Sequence, residues 1–343
     1  MVLLGKTLAE LQAVAQEVGL PRFAGKQLAE WLYVRRATSF DEMTNISLKG
    51  REALKAKYTI GRYDHVGETI SKDGTKKYLF AVKGTDDVYV YVESVYIPDN
   101  DRATLCVSTQ AGCKMGCKFC MTGTRGFHGH LTAADILNQI FSIPDADKLT
   151  NIVYMGEGEP MDNLDSVLRS LEVMTSAWGC AWSPKRITVS SVGINKGLKR
   201  FIEESDCHLA ISLHNPFSVE RQEIMPIEKV KHLNDVITLL KQYDWSHQRR
   251  VSFEYICWGG VNDTPKHANE LLRLLKGLDC RINLIRFHAG VDKAFPASNE
   301  RQMEWLRDYL TEHGITTTIR RSRGEDILAA CGMLVNALKA GNS

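Results

Sequence analysis

Three cysteines fall within one short stretch, Cys113-Lys114-Met115-Gly116-Cys117-Lys118-Phe119-Cys120. Spacings of four and then three bring three thiolates round one loop, close enough to hold an iron-sulfur cluster at three of its corners. Four-iron clusters are usually held by four cysteines, and no fourth follows at a comparable spacing. One iron would then lack a protein ligand, and an open coordination position on a metal is where catalysis takes place. The alternative is a zinc knuckle with His128 as fourth ligand; structural zinc sites mostly use paired Cys-x2-Cys or Cys/His blocks, and only one such block, Cys117-Lys118-Phe119-Cys120, stands here.

Other segments carry residues suited to a ligand. Gly156-Glu157-Gly158-Glu159-Pro160 is a glycine-rich turn whose backbone can approach a ligand closely while a carboxylate meets an ammonium group. Ser190-Ser191 and Ser212-Leu213-His214-Asn215 offer short polar side chains to a ribose or a carboxylate, although serines at strand ends are more often caps. Cys331 is followed by Gly332 and preceded by the basic run Arg320-Arg321-Ser322-Arg323, a setting that favours the thiolate. Cys106 lies a few residues before the cysteine loop, while Cys180, Cys207, Cys257 and Cys280 read as small buried hydrophobes.

These residues need a scaffold, and the hydrophobic periods describe one. Helical patterns run over 7–18, 23–34 and 48–57, broken by Gly19-Leu20-Pro21. From Val66 to Ile97 the period drops to two, as in Val88-Tyr89-Val90-Tyr91-Val92. Beyond Thr104, strands near 105–108, 152–155, 187–190, 209–213, 251–256, 282–285 and 316–319 alternate with helices over 133–141, 164–175, 233–242, 266–275 and 301–313. Such alternation means parallel strands with covering helices, and in that architecture the ligand site lies beyond the carboxyl ends of the strands. The loops just described all follow strands and so converge on one rim.

The chain has 343 residues, 44% of them apolar, enough for one large or two unequal domains. A net charge of +2 leaves any polyanion binding to local patches. Nine cysteines, an odd number, with no basic-then-apolar start, read as a reducing, cytoplasmic setting. No apolar run approaches the ~20 residues of a membrane span.

Together these stretches resemble the RlmN/Cfr family of radical S-adenosylmethionine (SAM) RNA methyltransferases over nearly the whole length. The resemblance is carried by Lys26-Gln27-Leu28-Ala29-Glu30-Trp31-Leu32, Glu93-Ser94-Val95-Tyr96-Ile97-Pro98, Arg102 to Ser108, the cysteine loop, Gly158-Glu159-Pro160 with Asn163, Ser212-Leu213-His214, and Arg323-Gly324 ahead of Ala330-Cys331-Gly332. It implies an α/β fold: a helical accessory domain over 1–62 that binds RNA, a β-rich linker over 63–100, and a partial (β/α)6 radical SAM barrel over 101–343 with a carboxy-terminal extension carrying Cys331. The implied cofactors are a 4Fe-4S cluster on Cys113, Cys117 and Cys120, and SAM contacted by Gly158, Glu159, Ser190, Ser212, Leu213, His214 and His288. His288 stands where the family carries asparagine, Glu157 where it usually carries methionine, and Gly129-His130 where an Arg-Asn pair is common.

The family chemistry implies that Cys331 accepts a methyl group from one SAM. A radical from a second SAM activates that methyl, which adds to adenine, and Cys106 then resolves the protein-RNA crosslink by forming a disulfide with Cys331. Glu93 matches the general base. Pro160 favours methylation at adenine C2 over C8, in 23S ribosomal RNA and, as a second substrate, transfer RNA. The basic clusters Lys26, Arg35-Arg36, Lys49-Arg51-Lys55-Lys57 and Arg320-Arg321-Arg323 would contact phosphates. A flavodoxin- or ferredoxin-type electron donor, no membrane and a monomeric state complete the expectation. A Cfr-like C8 methyltransferase is the alternative. Another is a radical SAM peptide-modifying enzyme, which would show further cluster-binding cysteines; here the remaining ones are scattered singly.

Overall fold

The computed structural model describes residues 1–245, 251–288, 295–330 and 332–334. Its amino-terminal sixty residues are helical. Thr7 and Glu10 form a reciprocal capping box that starts helix Leu8–Glu17. Helix Ala24–Ala29 runs on into the wider turns of Glu30–Val34, and helix Leu48–Lys57 starts at Ser47, whose hydroxyl accepts the Gly50 N–H at 3.2 Å. The first two helices cross closely because Gly25 has no side chain: a Cβ there would lie 2.6 Å from Gln12 Cα. Leu3 and Leu4 donate their N–H groups to the carbonyls of Thr59 and Ile60, so the two ends of the helical unit are stitched together. Its core is Leu11, Val14, Leu28, Leu32 and Leu54.

Among the described residues twelve strands follow: β1 Gly67–Ile70, β2 Lys76–Lys83, β3 Tyr89–Asp99, β4 Arg102–Cys106, β5 Gln110–Gly112, β6 Phe127–His130, β7 Asn151–Tyr154, β8 Ile187–Ser191, β9 His208–Ser212, β10 Val251–Cys257, β11 Cys280–Arg286 and β12 Thr316–Arg320. Ten of them form one sheet in the order β1-β2-β3-β4-β7-β8-β9-β10-β11-β12. From β4 to β12 every neighbouring pair is parallel. This is the expected strand-helix alternation, with β12 as a seventh parallel strand. Its covering helices include Ala133–Phe141, Leu164–Thr175, Asn195–Glu204, Leu233–Leu240, Pro265–Leu275 and Glu300–Glu312. The strand-rich segment before the barrel is part of the same sheet: β1, β2 and β3 are antiparallel, and β3 pairs with β4 through Asp99 opposite Arg102 to Val95 opposite Cys106. The ribbon β5-β6 stands apart, flanking the cysteine loop. No described helix is long and apolar enough to cross a membrane.

Candidate active site and cysteine loop

A cavity of about 650 Å³ opens inside the curve of the sheet. Cys113, Cys117 and Cys120 all line it. Their loop is held by backbone hydrogen bonds from Cys113 N to Gly126 O at 2.9 Å and from Lys118 N to Ile224 O at 3.0 Å, and it turns at Gly116, whose φ of 64° is left-handed. Burial pushes the Cys113 thiol up to about 12 and drives Cys117 and Cys120 upward as well. Thiols in such a place give up their protons to a bound cation. Among the described residues no three His, Cys, Asp or Glu side chains close up as ligands of a single ion. The fit to a 4Fe-4S cluster rests on the donor chemistry, three thiols on the wall of one cavity. His128, the zinc-knuckle candidate, is exposed, and its Nε2 lies 3.1 Å from the Arg125 carbonyl.

The loop after β7 comes next along the wall. Gly158 has φ 98°, and a Cβ there would sit 2.5 Å from Gln110 Cβ, so only glycine lets this turn press on β5. Glu159 is buried and spans two strand ends: its carboxylate accepts from Met161 N at 3.0 Å, Ser191 Oγ at 2.6 Å and Val192 N at 2.9 Å. Burial pushes it up to about 7, while those three donors pull the other way. Ser190, Ser212, His214 and His288 also line the cavity. Leu213 is fully buried and serves through its backbone, donating to Glu254 O and accepting from Arg221 Nε, both at 3.0 Å.

His214 adopts a left-handed φ of 56°, held by Asn262, whose Nδ2 donates to the His214 carbonyl at 2.7 Å. Its Nδ1 accepts the Ile256 N–H at 3.1 Å, so the neutral ring carries its proton on Nε2. Burial, with Arg221 nearby, pushes it down to about 3. Its ring meets Phe119 of the cysteine loop edge-on at 4.7 Å. His288 is tied to the carboxy-terminal segment, with Nε2 2.5 Å from Ser322 Oγ and 3.4 Å from Glu325 Oε1.

Cys106 closes β4 and lines the cavity, packed in an apolar cluster with Val95, Val153, Ala329 and Leu334. Cys331 lies outside the described residues. Its neighbours Ala330 and Gly332 line the same cavity, and Gly332 O accepts from Met121 N at 2.8 Å beside the cysteine loop. Glu93 lies on the same face of β3 as Val95 but is not among the cavity-lining residues; it is buried and paired with Lys77 at 3.0 Å. Glu157, next to it, accepts the Glu93 N–H at 3.0 Å and faces Arg125 at 3.4 Å, and burial pushes its carboxyl up to about 7.

One organising group escapes a reading by motif. Arg221, from the short helix Ser218–Ile224, is wholly buried. It pairs with Glu228 and donates to the carbonyls of Val192 at 3.1 Å, Ser212 at 2.9 Å and Leu213, tying the ends of β8 and β9 together. Nothing in a run such as Val219-Glu220-Arg221-Gln222-Glu223 separates a buried arginine from a solvated one. Arg221→Met is expected to cost about 3–5 kcal/mol, because Glu228 would be left charged and unpaired. Denaturant unfolding measures this, and Arg221→Met/Glu228→Gln should recover part of the loss; equal losses in both variants would show that the pair itself is not the source.

Residues 1–60 match the family described as "Ribosomal RNA large subunit methyltransferase N-terminal domain" and residues 107–275 the radical SAM superfamily. A protein of Bacteroides fragilis named "Probable dual-specificity RNA methyltransferase RlmN" is 60% identical over 98% of this chain and 96% of its own length. The "Dual-specificity RNA methyltransferase RlmN" of Nitratidesulfovibrio vulgaris is 41% identical over 97% of this chain and 94% of its own. The crystal structure of a radical SAM methyltransferase from Sphaerobacter thermophilus superposes with a TM-score of 0.89 at 35% identity, covering 97% of this chain and 98% of that one. With the cysteine loop, the rim and the amino-terminal helices accounted for in one continuous match, the chain belongs to the RlmN family of radical SAM RNA methyltransferases.

Proposed function

We propose that this protein methylates C2 of an adenosine in 23S ribosomal RNA, with transfer RNA as a second substrate, through a methyl group carried on Cys331. The observation that carries the reading is the shared cavity: the three loop cysteines, Cys106, and the residues on either side of Cys331 all line it. Adenine C2 is an electrophilic amidine carbon without a lone pair, so ordinary methyl transfer has no nucleophile to use. When bound, a cluster on Cys113, Cys117 and Cys120 together with SAM supplies the one-electron chemistry that such a carbon requires, with a flavodoxin- or ferredoxin-type protein as electron source.

The chain's own groups do the rest. Gly158, Glu159, Ser190, Ser212 and His214 form the wall that would receive SAM, with the His214 Nε2–H as a fixed donor. Cys106 lines the cavity from an apolar cluster, which places its thiol where it could reach a crosslink formed there. Glu93, beside Lys77 and two residues from the Val95–Cys106 pair, is the base proposed to take the ring proton.

Affinity for RNA would come from exposed cations. Arg35, Arg36, Lys55 and Lys57 are held in surface ion pairs with Glu30, Asp147, Asp41 and Glu17. Pairs of that kind are worth about 1 kcal/mol or less each, so phosphate can replace the carboxylates. The target base must leave its stack to enter the cavity.

The test is anaerobic reconstitution with iron, sulfide, SAM and a reductant, then digestion of treated 23S RNA. The expected nucleoside is 2-methyladenosine, accompanied by 5′-deoxyadenosine. 8-Methyladenosine would overturn the C2 assignment, and 5′-deoxyadenosine without any methylated RNA would overturn the substrate.

A further inference from the structure

β3 is much longer than its barrel partner. Pairing with β4 ends at Val95 opposite Cys106, yet the strand begins at Tyr89. At about 3.3 Å per residue, the β2-β3 hairpin projects roughly 20 Å past that point, on the side where the parallel strands end. Side chains on a strand alternate between faces. Val95, Ile97 and Asp99 line the cavity, so Tyr91 and Tyr89 continue the same face outward. The opposite face, with Val92, Tyr96, Tyr78, Phe80 and Val82, is buried in the main core.

The outward face is aromatic and accessible. Tyr89 is 64% exposed and Tyr91 36%. Across the hairpin Ala81 stands opposite Tyr91 and Lys83 opposite Tyr89, a small side chain and a cation. Lys83 is paired with Asp87 at 2.9 Å, an exposed contact that a phosphate can displace. The hairpin tip is braced: Thr85 N donates to His128 O at 2.8 Å, and a Cβ on Gly129 would lie 3.3 Å from Gly84 Cα, so two glycines let the tip dock on β6. In the loop between the strands of that ribbon, Lys114 lies 4.1 Å from the centre of the Phe127 ring and is paired with Asp162.

We propose that Tyr89 and Tyr91, with Lys83, form a stacking platform for an unpaired nucleotide that neighbours the target adenosine in the RNA. This rests on the RNA-methyltransferase reading above and deepens it. Side chains two residues apart on a strand are separated by roughly 7 Å, about twice the ~3.4 Å rise between stacked bases, so a base can lie against one ring or between both. Stacking on aromatic rings is tolerant of sequence, as suits an enzyme that acts on two kinds of RNA. On the same strand face buried Glu93 stands between Tyr91 and the cavity-lining Val95, so the platform lies outside the cavity and would hold a nucleotide that flanks the target base, not the target itself.

The test compares Tyr89→Ala/Tyr91→Ala with Tyr89→Phe/Tyr91→Phe. Binding of fluorescent oligoadenylate is expected to weaken about tenfold or more in the alanine variant and to stay at the wild-type value in the phenylalanine variant, which keeps both rings. Production of 5′-deoxyadenosine without RNA should be unchanged in both. Ultraviolet crosslinking of the unmodified protein, which needs no folded variant, should leave nucleotide on the peptide that carries Tyr89 and Tyr91. Wild-type affinity in the alanine variant, equal weakening in both variants, or a peptide free of nucleotide overturns the platform. So does tighter binding after removal of residues 335–343 with the tyrosine changes silent, which would assign the face to the chain's own end. Failure of the wild-type enzyme to methylate any RNA is a separate result and overturns the reading beneath it.

Discussion

Cys106→Ala is expected to halt the enzyme with RNA covalently attached to it, at no more than one adduct per protein, where the wild type releases methylated RNA over many cycles. The expectation follows from the proposed division of labour, in which Cys331 would carry the carbon and Cys106 would provide the thiol that frees the product. The Cys106 side is structural: the thiol closes β4, opposite Val95, on the wall of the reaction cavity and within an apolar cluster. The adduct should migrate slowly on denaturing gels, vanish with nuclease, and be absent when Cys331→Ala is combined with Cys106→Ala. Cys331→Ala alone should carry no methyl group and yield no RNA product. If purified Cys106→Ala makes methylated adenosine at the wild-type rate and traps no RNA, Cys106 is a packing residue and this chemistry does not apply.

Replacing Cys113, Cys117 and Cys120 together by alanine should remove iron binding altogether and with it every SAM-derived product. No other described residue group offers three thiols to the cavity. The fold should survive, because the loop is also held by Lys118 N on Ile224 O and by Phe119 packed on His214 and Trp258. Iron and sulfide content and the visible absorbance of the reconstituted protein give the first readout, and 5′-deoxyadenosine the second. Stoichiometric zinc and no cluster absorbance in the anaerobically reconstituted wild type would reverse the assignment.

Elements with a strong period were legible residue by residue. The helices Ala133–Phe141, Leu164–Thr175 and Leu48–Lys57 stand where the 3.6-residue pattern puts them. So do the parallel strands, within two or three residues at their ends. Helix Asn195–Glu204 and the short helix Ser218–Ile224 are not apparent, since their charged positions resemble those of a polar connection. The segment 63–100 reads as strand-rich, but a period of two cannot say which sheet receives it. Its register on β4, fixed by the Val95–Cys106 pair, makes it the wall of the site.

By itself the sequence determined the donor chemistry: three thiols on one short loop, glycines and carboxylates after β7, and polar groups after β8 and β9. Those are local properties, set by side-chain type and spacing along the chain. Tertiary structure decided which of them share a cavity and which serve through the backbone or as struts. Gly158, Ser190, Ser212 and His214 reach the wall directly, Glu159 reaches it while bridging two strand ends, and Leu213 contributes only main-chain contacts. The buried charges Arg221 and Glu228, and the Glu157–Arg125 and Lys77–Glu93 pairs, were decided there too. The physical reason is that a charge is costly to bury alone and tolerable beside its partner, and burial is set by what the tertiary fold packs over a pair, even where the partners lie as near in the chain as Arg221 and Glu228.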